Sequence, residues 1–143
     1  ITQSVMAELY QRVPWHDETR GRVVLTGVQG ELHQIGPHLV ADALDIRGWD
    51  VRFLGTNLPH RDVLGIVEAH EAAVLGISAT MLLNAGVVRD LIEQSRERFG
   101  DDLSIIVGGG AFRARADLWR ELGADACALD LRDAVRSFAK LAG

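Results

Sequence analysis

Two side chains two residues apart, Glu31 and His33, stand in the stretch Gln29–Gly36, Q-G-E-L-H-Q-I-G. In an extended loop they lean the same way. An imidazole so placed can bind a metal through one nitrogen while its other nitrogen donates to the carboxylate. A single histidine in a loop is more ordinarily a surface or hydrogen-bonded residue, and a zinc site would need further ligands converging on it. Two other groups could do chemistry. Ser78-Ala79-Thr80 puts two hydroxyls on alternate positions, facing one side, and Gly108-Gly109-Gly110 lets backbone approach a ligand with no Cβ in the way. Each has a plain reading as well: the hydroxyls can cap a following helix, and the glycines can be a tight turn or a phosphate cradle.

A common scaffold for the three groups is legible in the hydrophobic pattern. Strand patterns occur at Arg22–Val28, Asp50–Leu54, Ala73–Ser78 and Ser104–Val107, with a weak one near Asp125–Ala128. Helical spacing of apolar residues covers about Gly36–Arg47, Pro59–Ala69, Leu83–Phe99, Arg113–Leu122 and Leu131–Leu141. Gly48, Gly100 and Gly123 sit just past three helix ends, where a left-handed residue is wanted. Strands three and four are nearly continuous apolar runs, as in a parallel sheet covered on both faces. The alternation predicts an α/β fold: a flavodoxin-like, Rossmann-like, doubly wound five-stranded parallel sheet of order 2-1-3-4-5. Such sheets bind ligands outside the carboxyl ends of their strands, near the point where strand order reverses. The loops there follow strands one, three and four, and they hold the three groups.

Several known uses of that edge are excluded by what the loops lack. The loop after strand one has His33 where a dinucleotide site would need its glycine fingerprint. There is no Walker A loop, no hydroxyl-rich flavin phosphate loop, no G-x-S-x-G elbow, and no acidic cluster of the receiver type. The chain has 143 residues with 48% hydrophobic and 24% charged, which suits one soluble globular domain. Its net charge of -5, with no basic run, argues against direct nucleic-acid binding. Cys127 is the only cysteine, so it forms no internal disulfide and fits a reducing, cytoplasmic setting. No apolar run is long enough for a membrane span.

Residues 1–13 carry Val5, Met6, Leu9, Tyr10 and Val13 on one helical face, and Pro14 ends that helix. Pro14–Gly21 reads as a polar linker. The expected division is residues 1–20 as an N-terminal helix and linker, the remnant of an upstream helical domain, and 21–143 as the ligand-binding domain. The opening Ile1 suggests a piece of a longer protein. Trp49 and Trp119 read as core or interface residues, His38 and His70 as surface or packing residues, and His60 as a cap. His16 and Trp15 lie in the linker, near enough in sequence to approach a ligand.

Taken together and in order, the motifs resemble the cobalamin (vitamin B12)-binding domain family, whose pattern is D/E-x-H-x-x-G, then S-x-L or S-x-T, then G-G. Here they read Glu31-Leu32-His33-Gln34-Ile35-Gly36, Ser78-Ala79-Thr80 and Gly108-Gly109, and the resemblance covers about residues 21–141. It removes the objection that one histidine is too few, because a corrin ring supplies four nitrogens and the protein need add only one ligand. The resemblance implies bound cobalamin, as adenosylcobalamin or methylcobalamin, with His33 as the lower axial ligand of cobalt. Glu31 would accept its other N–H. The displaced benzimidazole tail would enter the sheet edge, with Ser78 and Thr80 lining its slot, Gly108 and Gly109 leaving room, and Gly36 letting the first helix start close by. Gln34 and Ile35 belong to the same contact loop.

Within that family, Glu31 in place of the commoner Asp looks like the light-responsive cobalamin regulators of the CarH/LitR type. So does Gly48-Trp49-x-Val51-x-x-Leu54-Gly55-x-x-x-Pro59. The expectation is therefore a non-enzymatic sensory or regulatory module holding B12 base-off and His-on, light-responsive through its cobalt–carbon bond. It would be fused or docked to an effector domain and open to homo-oligomerisation. The alternative is the corrinoid carrier of a methyltransferase system, in which the cobalt cycles as nucleophile and methyl donor.

Overall fold

The computed structural model describes residues 21–27, 35–55, 58–79, 82–115 and 117–142, the side chains of 35–38 and 142 excepted. The expected N-terminal helix and linker lie outside them. Five strands form one parallel sheet: β1 (Arg22–Gly27), β2 (Asp50–Phe53), β3 (Val74–Ser78), β4 (Ser104–Gly108) and β5 (Ala126–Ala128), in the order β2-β1-β3-β4-β5. This is the order the strand–helix alternation predicts. Among the described residues no helix is long and apolar enough to cross a membrane.

Side-chain alternation sends successive strand residues to opposite faces. Val24, Leu75, Ile77, Ile105 and Val107 pack on one face, here face one. They meet Val63, Leu64 and Val67 of α2 (His60–His70) and Val88, Leu91 and Ile92 of α3 (Ala85–Phe99). Val23, Leu25, Val74 and Ile106 pack on face two. Their cover is Ala41 and Leu44 of α1 (Ile35–Ile46) with Ala134 and Phe138 of α6 (Leu131–Ala142). Trp49 closes this second cluster, buried and edge-on to Phe138 with ring centroids 6.4 Å apart.

One helix departs from expectation. The single helix read over Arg113–Leu122 is two short ones, α4 (Gly110–Ala114) and α5 (Leu118–Leu122), with Arg115 extended after α4. Phe112 and Leu118 are both buried in the face-one cluster. On a continuous helix, residues six apart would point roughly 120° away from each other, so the break lets both reach the core. A short 3-10 turn, Leu82–Asn84, precedes α3, which therefore starts at Ala85 rather than Leu83. The glycines expected at helix ends do carry positive φ: 94° at Gly48, 58° at Gly100 and 92° at Gly123. Gly123 is left-handed, and its N–H reaches back to the carbonyls of Arg120 and Trp119.

Candidate functional site

The parallel register aligns the ends of four strands in one row. Gly27 pairs with Ser78, Ser78 with Gly108, and Gly108 with Ala128. None of the four has a large side chain, so the carboxyl edge of the sheet is low on face two. Below this row Gly76 lies between Leu25 and Ile106. The result is a cavity of about 230 Å³ between face two, α1 and α6. Its interior is apolar, with Leu25, Val40, Ile106, Ala134 and Phe138 among its lining residues. Leu39 and Leu131, both more than two-fifths exposed, flank it.

Of the residues singled out by sequence, Ser78, Gly108 and Gly109 all line this cavity. The Ser78 side chain makes no hydrogen bond among the described residues and is half-buried. Ile35 and Gly36 open α1. Glu31, His33, Gln34 and Thr80 lie outside the described residues. Strand pairing continues one residue past β3: Ala79 N–H donates to Gly108 O at 3.0 Å, and Ala111 N–H donates to Ala79 O at 3.2 Å.

The glycines differ in what they make room for. A Cβ on Gly109 would lie 2.3 Å from the Ala79 carbonyl oxygen, and its φ is 107°. A Cβ on Gly108 would lie 2.7 Å from the Ala128 carbonyl oxygen. Both are therefore required by neighbouring backbone, in addition to bordering the cavity. Gly76, which sequence reading passed over, is the one facing the interior: its Cβ would meet Leu25 Cδ2 at 2.4 Å and Phe138 Cζ at 3.0 Å. A glycine inside a strand is the available signal for such a close approach.

Charge at the site is sparse. Among the described lining residues Arg113 is the one base and Asp130 the one acid. Asp130 Oδ1 accepts the Asp133 N–H at 2.8 Å and so caps α6. The Thr26 hydroxyl is turned to backbone, donating to the carbonyls of Gly27 and Gly55. Burial, with Asp133 adding to it, pushes the Cys127 thiol up, so it is a poor thiolate. No group of three or more His, Cys, Asp or Glu side chains that could hold a metal occurs among the described residues. His60 pairs with Gln94 of α3, its Nδ1 accepting from the amide at 3.2 Å, instead of capping α2. His70 is almost fully buried and its Nε2 donates to the Asp50 carbonyl at 3.0 Å.

Relatives of known name narrow the reading. A corrinoid protein of Desulfitobacterium hafniense is 30% identical over 128 residues, 88% of this chain and 58% of its own length. Dimethylamine corrinoid protein 3 of Methanosarcina acetivorans is 32% identical over 126 residues, 86% of this chain and 58% of its own length. The chain thus spans somewhat over half of these relatives. Among solved structures, the methanol:cobalamin methyltransferase complex of Methanosarcina barkeri has a chain that superposes with a TM-score of 0.78 at 25% identity, over 93% of this chain and 51% of that one.

These findings overturn the expectation of a sensory, light-responsive module, since the relatives are corrinoid proteins and a methyltransferase complex. The segment that suggested a sensor serves the fold instead. Gly48 turns the chain out of α1, Trp49 is buried, Val51 lies in β2, Leu54 packs on the face-one cluster, and the Gly55 carbonyl accepts the Gly27 N–H at 2.8 Å. Glu31 does not discriminate either, because either acid can accept an imidazole N–H. The B12 binding domain model matches residues 21–139; the chain belongs to that family and binds cobalamin.

Proposed function

We propose that this chain is the corrinoid carrier of a methyl-transfer system, holding cobalamin with its benzimidazole withdrawn from cobalt and seated in the face-two cavity. The observation that carries the proposal is the cavity itself, an apolar slot of about 230 Å³ opening at the carboxyl edge between α1 and α6. An apolar cavity of about 150 Å³ accepts a benzene, so a flat bicyclic base suits this one. The names of the relatives support the methyl-transfer part of the reading.

In this assignment bound cobalamin supplies a cobalt centre that accepts and gives up a methyl group. The chain's residues hold and orient it. Leu25, Ile106 and Phe138 wrap the base and exclude water, and the free Ser78 hydroxyl offers a hydrogen bond at the slot's mouth. His33 would ligate the cobalt, and Glu31 would accept its other imidazole N–H and fix the ring. Gly36 brings the start of α1 close to the tail. Thr80, from the same motif as Ser78, would offer a second hydroxyl to the tail. A methyltransferase docks on the loaded carrier.

The test begins with loading. Purified protein should take up one cobalamin with a base-off spectrum, and His33→Ala should weaken binding or change that spectrum, with Glu31→Gln losing about 10–100-fold in affinity or activity. The protein loaded with methylated cobalamin should then hand its methyl group, in the dark, to a corrinoid-dependent methyltransferase and its acceptor. A loaded protein that binds cobalamin normally yet neither gains nor loses methyl groups with such enzymes would remove the carrier role and leave the binding reading intact.

A further inference from the structure

Arg113 on α4 stands at the mouth of the cavity without an acidic partner among the described residues, whereas four other arginines of the fold have one. Arg22, Arg96, Arg98 and Arg115 each pair with a carboxylate. Arg113 instead directs Nε and Nη2 at a single backbone oxygen, that of Leu129 in the turn between β5 and α6, with Nε 3.0 Å away. One edge of the planar guanidinium is thereby anchored. The other edge, formed by Nη1 and the second Nη2 proton, has no partner among the described residues. Asp130, the acid closest in the lining, has Oδ1 engaged by the Asp133 N–H.

An anchored guanidinium with a free fork, beside a slot shaped for an aromatic base, is an arrangement for an anion joined to that base. Planar forks match phosphate geometry two bonds at a time, and arginine keeps its charge at all working pH values. We infer that Arg113 binds the phosphodiester of the cobalamin nucleotide tail and selects complete corrinoids over those lacking the nucleotide. The inference rests on the cavity being the seat of the base. The phosphodiester lies between the base and the corrin, so its receptor belongs at the mouth and not on the floor. Arg113 is the sole cation among the described lining residues. Its anchor on Leu129 O also ties α4 to the start of α6, which holds the fork in place before the ligand arrives.

The experiment compares three corrinoids on the full chain by titration calorimetry: cobalamin, cobinamide phosphate, which has a phosphate and no base, and cobinamide, which has neither. Wild type should prefer cobalamin over cobinamide. Arg113→Gln should weaken cobalamin and cobinamide phosphate by about tenfold, as expected for one hydrogen-bonded charge, and leave cobinamide unchanged. Arg113→Lys should recover part of the loss, because it restores the charge and not the fork. Added salt should narrow the gap between wild type and Arg113→Gln. Equal weakening of all three ligands would make Arg113 a structural tie only, and an unchanged preference would remove it from the site. A wild-type protein with no preference for cobalamin over cobinamide would instead overturn the cavity as the base's seat.

Discussion

Face one of the sheet carries Val24, Leu75, Ile77, Ile105 and Val107, none more than 2% exposed. Face two carries Val23, Leu25, Val74 and Ile106, and breaks that series with Gly76, Ser78 and Gly108. The strands are the same, so the two faces share one backbone geometry and differ only in which alternate residue is large. The comparison teaches how a parallel sheet can keep its fold and gain a binding volume. Full packing under α2 and α3 secures the sheet. Omitted side chains under α1 and α6 leave the space, with no strand bent to make it. The covering helices differ in the same sense. α3 ends with Arg96 and Arg98 in its last turn, favourable for the helix dipole, whereas α1 has no base in its last turn and carries Asp45 there.

The sharpest way to break the comparison is to empty a site on face one. Leu75→Ala should cost about 2–5 kcal/mol of stability, read from the denaturant midpoint, and the folded fraction should still bind one cobalamin. A loss no larger than that of a surface substitution would deny the tight packing claimed for this face. Next in size is Gly109→Ala. Its left-handed φ and the Ala79 carbonyl in its way are both backbone constraints, so the cost should be about 1–3 kcal/mol. Cobalamin and cobinamide affinity should fall together, because the damage is to the turn. If cobalamin binding alone suffered, the glycine would be a wall of the slot and little else.

Gly76→Ala should be milder for the fold and more selective for the ligand. Its Cβ meets only the mobile ends of Leu25 and Phe138, which can yield into the cavity. The expected cost is about 1 kcal/mol, at the low end for overpacking. Calorimetry should show cobalamin binding weakened and cobinamide binding spared. The smallest effect belongs to Asp45, whose carboxyl is held above its ordinary value by burial, and then by Asp42 and Asp50. Its charged form is disfavoured in the folded state, so the stability it contributes is present at low pH and is lost as pH rises from 3.8 upward through the raised value. Asp45→Asn should give a slight gain in Tm at neutral pH that disappears below pH 3.8; a lower Tm at neutral pH would contradict it.

All five strands were legible within a residue or two, because buried parallel strands are apolar runs and helices ended at Gly48, Gly100 and Gly123. Ser78, Gly108 and Gly109 could be read as site residues because topology alone puts strand ends three and four beside the switch point. The break at Arg115 could not, since only burial of both Phe112 and Leu118 demands it. Gly76 was hidden for the opposite reason: in sequence it is a blemish in a strand, and only Leu25 and Phe138 closing over it give it meaning. Arg113 needed the Leu129 carbonyl, 16 residues away, to become an oriented group. The choice between sensor and carrier was not legible because Gly48, Trp49, Val51 and Gly55 answer to the fold, whatever the cofactor is used for.

α6 comes after every strand of the sheet in sequence, and it supplies Ala134 and Phe138 to the second cluster. Roughly 100 residues separate the end of β1 from its start, about 5–20 s of synthesis at ordinary ribosomal rates. Until it emerges, Leu25 and Val74 lie under α1 alone and the slot has no second wall. Cobalamin therefore cannot be captured until α6 has emerged and packed against the sheet. Over the same interval the apolar face-two residues are uncovered, and transiently exposed surface of this kind is aggregation-prone. Changes that weaken α6, such as Asp130→Ala at its cap, should show first as poor recovery of soluble protein from cells and only later as weaker binding.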